Sequence, residues 1–264
     1  MSKVEIEHGI VSIFGLSLFS SSKRELLGIL QTHLTKQNEP LFIFTPNAEQ
    51  IVLSLENPNF RRNLQQADIL IPDGFSLVIA SFLLSLLGKS SKISQKIAGV
   101  DLAQNLIKIT EQNNQDILIL GGKDYQLLLD SSSQVNKSFN LWKLDKNLYW
   151  TPAYGDFSNS SKEERATLVN NIKNLKPAVV MVALGAPNQE KWSLDNQQLL
   201  SESGVKLVMV VGGAFDIIFG RLRRAPKIMR VFGLEWLFRL IQEPWRWKRQ
   251  LGLLKFWYYL VLKR

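Results

Sequence analysis

The sequence predicts an α/β fold: a Rossmann-like, mostly parallel sheet sandwiched by helices, with a helical appendage after it. Three observations carry that prediction. Short runs rich in Val, Ile and Leu ("GIVSIFGL", "PLFIFT", "ADILIP", "DILILGG", "AVVMVALG" and "KLVMVVGG") recur, each ahead of a longer segment of helical periodicity. A strand covered by helices on both faces is apolar continuously, whereas a half-exposed strand alternates. Second, 264 residues with 45% hydrophobic and 21% charged side chains can bury a sizeable core and are ordinary for a globular protein. Third, the strand-like runs stop near Gly220, and the segment beyond that glycine reads as helix.

Taken in order, the six runs are expected as buried strands of one sheet, joined by crossover helices. The segment "FSLVIASFLLSLLG", residues 75 to 88, is very apolar but falls short of the roughly 20 residues that span a bilayer, so a buried or interfacial helix is expected. Beyond Gly220 a helix from about Val231 to Gln242 stops ahead of Pro244, a residue suited to the first turn of the next helix. The run "LGLLKFWYYLVLK" is then apolar almost all round. The expected organisation is residues 1–219 as the α/β domain and 220–264 as the appendage.

The net charge of +9 is not spread evenly. Residues 220–264 hold 12 Lys and Arg against two acids, Glu235 and Glu243, so the body is close to neutral. Four of the seven tryptophans (Trp236, Trp245, Trp247 and Trp257) lie there too. Such an asymmetry calls for an anionic partner: phosphate, lipid headgroup or nucleic acid. The absence of cysteine excludes disulfides, thiolate catalysis and cysteine-bound metal. The only histidines, His8 and His33, lie away from the polar clusters, which argues against a Ser-His-Asp hydrolase or a histidine-bound metal. No dinucleotide fingerprint or Walker sequence occurs. Charges interrupt the first residues where a secretion signal would be apolar.

Four strand ends carry polar clusters. "FIFTPNAEQ" supplies Thr45, Asn47 and Glu49, and "ILIPDGFS" supplies Asp73 and Gly74. "VALGAPNQEKW" supplies Gly185, Asn188, Gln189 and Glu190, and "VVGGAFDIIFG" supplies Gly212, Gly213 and Asp216. Each alone has a structural explanation as a helix cap, an Asp-Gly turn or a close glycine contact. Together they fall at the carboxyl ends of predicted strands, where open α/β sheets bind ligands.

The ordered set "TPNAEQ", "ADILIPDG", "KIAGVDL", "ILILGG", "ALGAPNQEKW", "VGGAFDIIFGRLRRAP" and "GLEWLFRLIQEPWRWKR" resembles the WecG/TagA/CpsF glycosyltransferases, glycosyltransferase family 26, from about residue 10 to residue 250. The resemblance implies transfer of an N-acetylmannosamine-type sugar from a UDP donor to undecaprenyl-diphosphate-linked N-acetylglucosamine, with inversion, without a metal or other cofactor, at the cytoplasmic face of the plasma membrane. It implies Asp73 as the catalytic base, with Thr45, Asn47 and Gln189 positioning substrate. Arg239, Arg246 and Arg249 are the counterparts of the arginines that the family's appendage brings to the active site, and Gly185 and Asp216 belong to the substrate-binding set. The chain has no Asp-x-Asp triplet for a divalent cation, so the arginines are expected to neutralise the departing diphosphate.

Two departures bear on specificity. Lys96 stands where the family usually has arginine, keeping the charge but losing the bidentate fork, so it is expected to make a weaker or differently aimed phosphate contact. "AYGDF", residues 153 to 157, replaces a common Gly-Tyr-Phe pattern. The last run, "LGLLKFWYYLVLKR", reads as a helix lying on an anionic membrane surface or packed on the body. The competing readings are a related UDP-hexose or UDP-hexuronic acid transferase, and a non-catalytic membrane- or nucleic-acid-binding protein of the same fold. Nucleic acid is disfavoured because no helix-turn-helix or RNA-binding signature accompanies the basic tail. A homo-oligomer is left open.

Overall fold

In a computed structural model, the described residues are 9–36, 39–89, 91–122, 134–136, 141–153 and 161–262. They fall into two compact units. The first comprises Met1–Glu25, Thr45–Gly99 and Leu222–Arg264, and the second Leu26–Phe44 and Val100–Arg221. Of the "AYGDF" stretch, residues 154 to 157 lie outside the described residues.

The first unit opens with β1 (Ile10–Ile13) and β2 (Leu16–Phe19), which pair antiparallel. "GIVSIFGL", expected to be one strand of a parallel sheet, is therefore a hairpin. The reason is local: Phe14 and Gly15 both have positive φ, 51° and 73°, the geometry of a two-residue turn whose twist matches its strands. Arg61 Nη2 donates to the Phe14 carbonyl at 2.6 Å and holds the turn. The same unit contains α2 (Ala48–Glu56), α3 (Pro58–Gln66), the two-residue strand β4 (Ile69–Leu70) and α4 (Phe75–Leu86). From the tail it holds α10 (Lys227–Val231), α11 (Glu235–Gln242), a 3₁₀ turn at Pro244–Arg246, and α12 (Trp247–Leu262).

The tail's described elements from Lys227 on are all helical, but the helix expected from about Val231 to Gln242 begins only at Glu235, because Val231 closes the separate helix α10. Gly233 parts the two helices with φ 73°. A Cβ built there would meet the Phe75 ring at 2.6 Å, so only glycine lets the α10–α11 turn sit on the first turn of α4. The helix α12 lies on α2. Phe256 and Leu260 are its buried residues, with the Phe256 ring set edge-on to Phe14 at 5.9 Å between centroids. Leu251, Leu254, Tyr258, Val261 and Leu262 remain exposed. One face of this helix is thus packed on the body. Among the described residues no helix is long and apolar enough to cross a membrane.

The second unit is built on a seven-stranded, mostly parallel sheet. Its strands are β3 (Leu41–Phe44), β5 (Ile117–Gly121), β6 (Gln134–Asn136), β7 (Leu141–Asp145), β8 (Leu148–Thr151), β9 (Val179–Ala183) and β10 (Leu207–Val210). Their order is β3-β10-β9-β5-β8-β7-β6, parallel from β3 to β8 and antiparallel for β7 and β6 at one edge. Every residue of Ile117–Leu120, Val179–Val182 and Leu207–Val210 is buried, which is why these runs read as continuously apolar. The helices of this unit include α5 (Gly99–Gln112), which opens at the last residue of the first unit, α6 (Lys162–Leu175), α7 (Asn188–Asp195), α8 (Gln197–Glu202) and α9 (Ala214–Ile218). The β7–β8 hairpin is not among the six expected runs, because "LWKLDKNLYW" interleaves buried Trp142, Leu148 and Trp150 with Lys, Asp and Asn. Trp150 anchors it by donating Nε1–H to the Gly121 carbonyl at 2.7 Å.

Candidate active site

In the first unit the strand-end residues are brought together by backbone. The chain leaves β3 at Thr45, and Asn47 caps α2 through a reciprocal box: Asn47 Oδ1 accepts from the Gln50 N–H and Gln50 Oε1 accepts from the Asn47 N–H, both at 3.0 Å. The Asp73 N–H donates to the Pro46 carbonyl at 3.0 Å, tying the tip of β4 to the Thr45–Asn47 loop. Both side chains then converge on Gly99. A Cβ built on that glycine would lie 3.7 Å from Thr45 Oγ1 and 3.9 Å from Asp73 Oδ2. Thr45 is buried and Asp73 half-buried, so the hydroxyl has a fixed seat while the carboxylate keeps access to solvent. Gly74, with φ 108°, makes the turn a side chain would resist, and the space where its Cβ would stand is open.

The tail brackets this cluster from both strand ends. Gly233 abuts Phe75, two residues past Asp73. Arg249, in the first turn of α12, donates Nε–H to both oxygens of Glu49 at 2.7 and 3.1 Å, two residues past Asn47. Lys96 forms an ion pair with Glu235, in the first turn of α11. Arg239 and Arg246 share a third carboxylate: Glu243 Oε2 accepts from Arg239 Nε at 3.0 Å and from Arg246 Nη1 at 2.5 Å. Burial works to raise the Glu243 carboxyl, but the hydrogen bonds and charges of Arg246 and Arg239 outweigh it and hold it below the usual carboxylate range. Arg246 is itself drawn down, first by burial and then by the charge of Arg239.

The second unit carries the other predicted residues. Gly185 precedes α7, and Gln189, in its first turn, is buried with its amide turned inward. Gln189 Nε2 donates to Glu190 Oε1 at 2.9 Å, and Gln189 Oε1 accepts from the Gly212 N–H at 3.2 Å. The side chain thus braces the loop ahead of α7 against the turn after β10. Glu190 is 1% exposed, and its Oε2 is buried without a hydrogen-bond partner. Burial pushes its carboxyl up to about 7, against the hydrogen bonds from Gln189 and the backbone. Asp216, at 7% exposure, is paired with Arg221 Nη2 at 3.0 Å.

Sequence reasoning found the cations but missed their anions. Glu49, Glu235 and Glu243 each hold one or two of the basic residues assigned to phosphate. One signal was available, since Arg239 to Glu243 is an i,i+4 pair and Glu243 to Arg246 an i,i+3 pair within the one stretch "RLIQEPWR". Glu49 and Arg249, 200 residues apart, left no local signal.

A carboxylate and a hydroxyl brought together after short apolar strands, with the tail's Arg249 held on the helix that follows the hydroxyl, is the build of an enzyme acting on a polar, anionic substrate. Residues 11–264 match the model of the glycosyl transferase WecG/TagA/CpsF family, and the chain belongs to that family. It is a glycosyltransferase. It is 28% identical over 241 residues to the N-acetylglucosaminyldiphosphoundecaprenol N-acetyl-beta-D-mannosaminyltransferase of Bacillus spizizenii (strain W23), covering 91% of this chain and 86% of that protein. To the Bacillus subtilis (strain 168) protein of the same description it is 26% identical over 245 residues, covering 93% and 88%.

Proposed function

We propose that this glycosyltransferase moves an N-acetylmannosamine-type sugar from a UDP donor to undecaprenyl-diphosphate-linked N-acetylglucosamine, with inversion and without a metal. The observation that carries the reading is the Thr45–Asp73–Gly99 cluster, with the tail packed on both flanking helices, Gly233 against Phe75 and Arg249 on Glu49. The relatives' acceptor, a lipid-linked N-acetylglucosamine, supports the choice of substrate.

In an inverting transfer the acceptor hydroxyl oxygen bonds to the anomeric carbon from the face opposite the donor diphosphate. The bond from that carbon to the phosphate oxygen breaks, and UDP leaves with the electron pair. The hydroxyl proton passes to Asp73. A positioned base of this kind contributes about 10²- to 10⁴-fold, or ~3–5 kcal/mol of barrier. Thr45 and Asn47 orient the sugar. Arg239, Arg246 and Arg249 take the charge gathering on the diphosphate, through hydrogen bonds worth roughly 1.5–3 kcal/mol each. Lys96, engaged with Glu235 one helical turn before Arg239, is assigned to the phosphate site as well. In the second unit Gly185, Gln189 and Asp216 are assigned to substrate binding, with Gln189 holding the Gly212 turn in shape.

The reading includes a membrane partner, because the acceptor is anchored in lipid. The candidate contact surface is α4 with the α10–α11 turn: Phe82, Leu83, Leu86 and Leu87 on the first, and Ile228, Val231 and Phe232 on the second, are exposed. Lys89, Lys227 and Arg230 lie on the same segments, suited to anionic headgroups. The reading has the protein attach at the inner face of the plasma membrane through these segments together with the exposed apolar face of α12, Leu251, Leu254, Tyr258, Val261 and Leu262.

Turnover with a panel of UDP-sugars and a prenyl-diphosphate N-acetylglucosamine acceptor, with and without chelator, tests the reaction. The expected result is activity with UDP-N-acetylmannosamine that survives chelation, and a 10²- to 10⁴-fold loss in Asp73→Asn with UDP binding retained. Near-normal turnover in Asp73→Asn would overturn the base, and turnover abolished by chelator would overturn the metal-free mechanism.

A further inference from the structure

We infer that Glu243 is a positioning residue: its buried carboxylate holds Arg239 and Arg246 as a preformed cation pair for the donor diphosphate. The inference rests on the assignment of those arginines to the diphosphate and adds a residue that neither the motif reading nor the relatives' descriptions single out.

Three observations carry it. One oxygen, Oε2, takes hydrogen bonds from both guanidinium groups, at 3.0 and 2.5 Å, so a single atom links the two. The backbone fixes that atom in turn: the Glu243 N–H donates to the Arg239 carbonyl at 2.9 Å and the Arg246 N–H donates to the Glu243 carbonyl at 3.0 Å. Glu243 therefore sits at the joint where α11 ends and the 3₁₀ turn begins, flanked by the arginines it binds. Finally, the Glu243 side chain is only 7% exposed, whereas the carboxylates on α2 that pair with tail cations, Glu49 and Glu56, have side chains 34% and 41% exposed.

Burial separates two roles a carboxylate beside a phosphate site can play. An exposed glutamate acts as a removable counterion: it swings into water when the phosphate arrives, and deleting it tightens binding. Glu243 has no such retreat, so it stays as the third member of the cluster. It offsets the repulsion between two like charges, and each guanidinium has five N–H donors, more than one carboxylate oxygen can take. The anion then meets two oriented forks in place of two flexible side chains, which lowers the ordering cost of binding.

The test uses the full chain and two probes, UDP and uridine, by titration and by competition against the donor. Glu243→Gln keeps the volume and one acceptor but removes the charge. The expected result is about tenfold weaker UDP binding, the equivalent of one charge-assisted hydrogen bond. Uridine affinity should be unchanged and the donor KM should rise in parallel. A merely structural role would weaken both probes together. UDP binding that is unchanged or tighter would overturn the inference, tighter binding marking Glu243 as a competing counterion. Glu243→Asp serves if the glutamine variant does not fold: its shorter side chain cannot reach both guanidinium groups, and a phosphate-selective loss of about threefold is expected, with no loss overturning the idea. Arg246→Ala separates this from the underlying reading. If it leaves UDP binding intact, the diphosphate assignment itself fails; if it weakens UDP and Glu243→Gln does not, only the positioning role fails.

Discussion

Replacing Glu190 by glutamine changes how stability depends on pH, and the size of the effect comes from the side chain's surroundings. The carboxyl is 1% exposed, Oε1 accepts from the Gln189 amide while Oε2 has no partner, and burial outweighs the lowering hydrogen bonds to raise it from an ordinary 4.5 to about 7. The folded protein therefore holds this proton more tightly than the unfolded chain does. Stability from the group is complete below pH 4.5, declines as the pH rises toward 7, and above 7 a buried carboxylate remains at a cost of about 3 kcal/mol, from ~1.4 kcal/mol per pH unit. Glutamine has no proton to lose and keeps the oxygen that receives the Gln189 hydrogen bond. Urea unfolding followed by tryptophan fluorescence at pH 5 and pH 8, at matched ionic strength, measures the difference. The advantage of Glu190→Gln over the parent should grow by about 2.5 kcal/mol between those values, or roughly 5–10 °C in Tm. Any fixed cost of the new amide cancels, because only the change with pH is read. Parallel pH profiles for the two proteins would refute the buried, protonated carboxyl.

Two further outcomes rest on the packing of the tail and of α4. Phe256→Ala removes a fully buried ring that meets Phe14 and should cost about 3–5 kcal/mol in chemical denaturation, whereas Tyr258→Ala, at 61% exposure, should change stability by less than about 0.5 kcal/mol. Replacing exposed Leu86 and Leu87 by serine should leave stability nearly unchanged but lower co-sedimentation with vesicles of anionic phospholipid; equal sedimentation would remove α4 from the membrane surface.

The buried parallel strands were legible because physics writes them plainly. Ile117–Leu120, Val179–Val182 and Leu207–Val210 are covered on both faces and read as unbroken apolar runs. Where the sheet turns antiparallel that signal disappears: β7 and β8 alternate buried tryptophans with Lys143 and Tyr149, and no run forms. The hairpin at residues 10–19 was misread for a related reason. Its apolar content matches a buried strand, and only the positive φ of both Phe14 and Gly15 reverses the chain. The break at Gly233 is likewise set by a distant residue, Phe75.

The meeting of Thr45 with Asp73 was legible from their places after apolar runs, whereas the partners of the tail's cations are hidden by composition. A tail of 12 bases and two acids reads as a free cationic surface seeking an anion. Folded, Arg239 and Arg246 share Glu243, Arg249 meets Glu49 and Lys255 meets Glu56, so much of that charge is engaged within the protein. A fully solvated basic helix would attract nucleic acid, lipid and phosphate with little discrimination, because its charges are mobile and screened. A guanidinium pair set on a buried carboxylate instead presents oriented donors at fixed spacing, which favours an anion with two adjacent phosphate groups over a diffuse polyanion. On the proposed diphosphate role, the same glutamate that lowers the tail's net charge would thereby raise its selectivity, while the aromatic residues Trp245 and Trp247 on the same segment stay exposed.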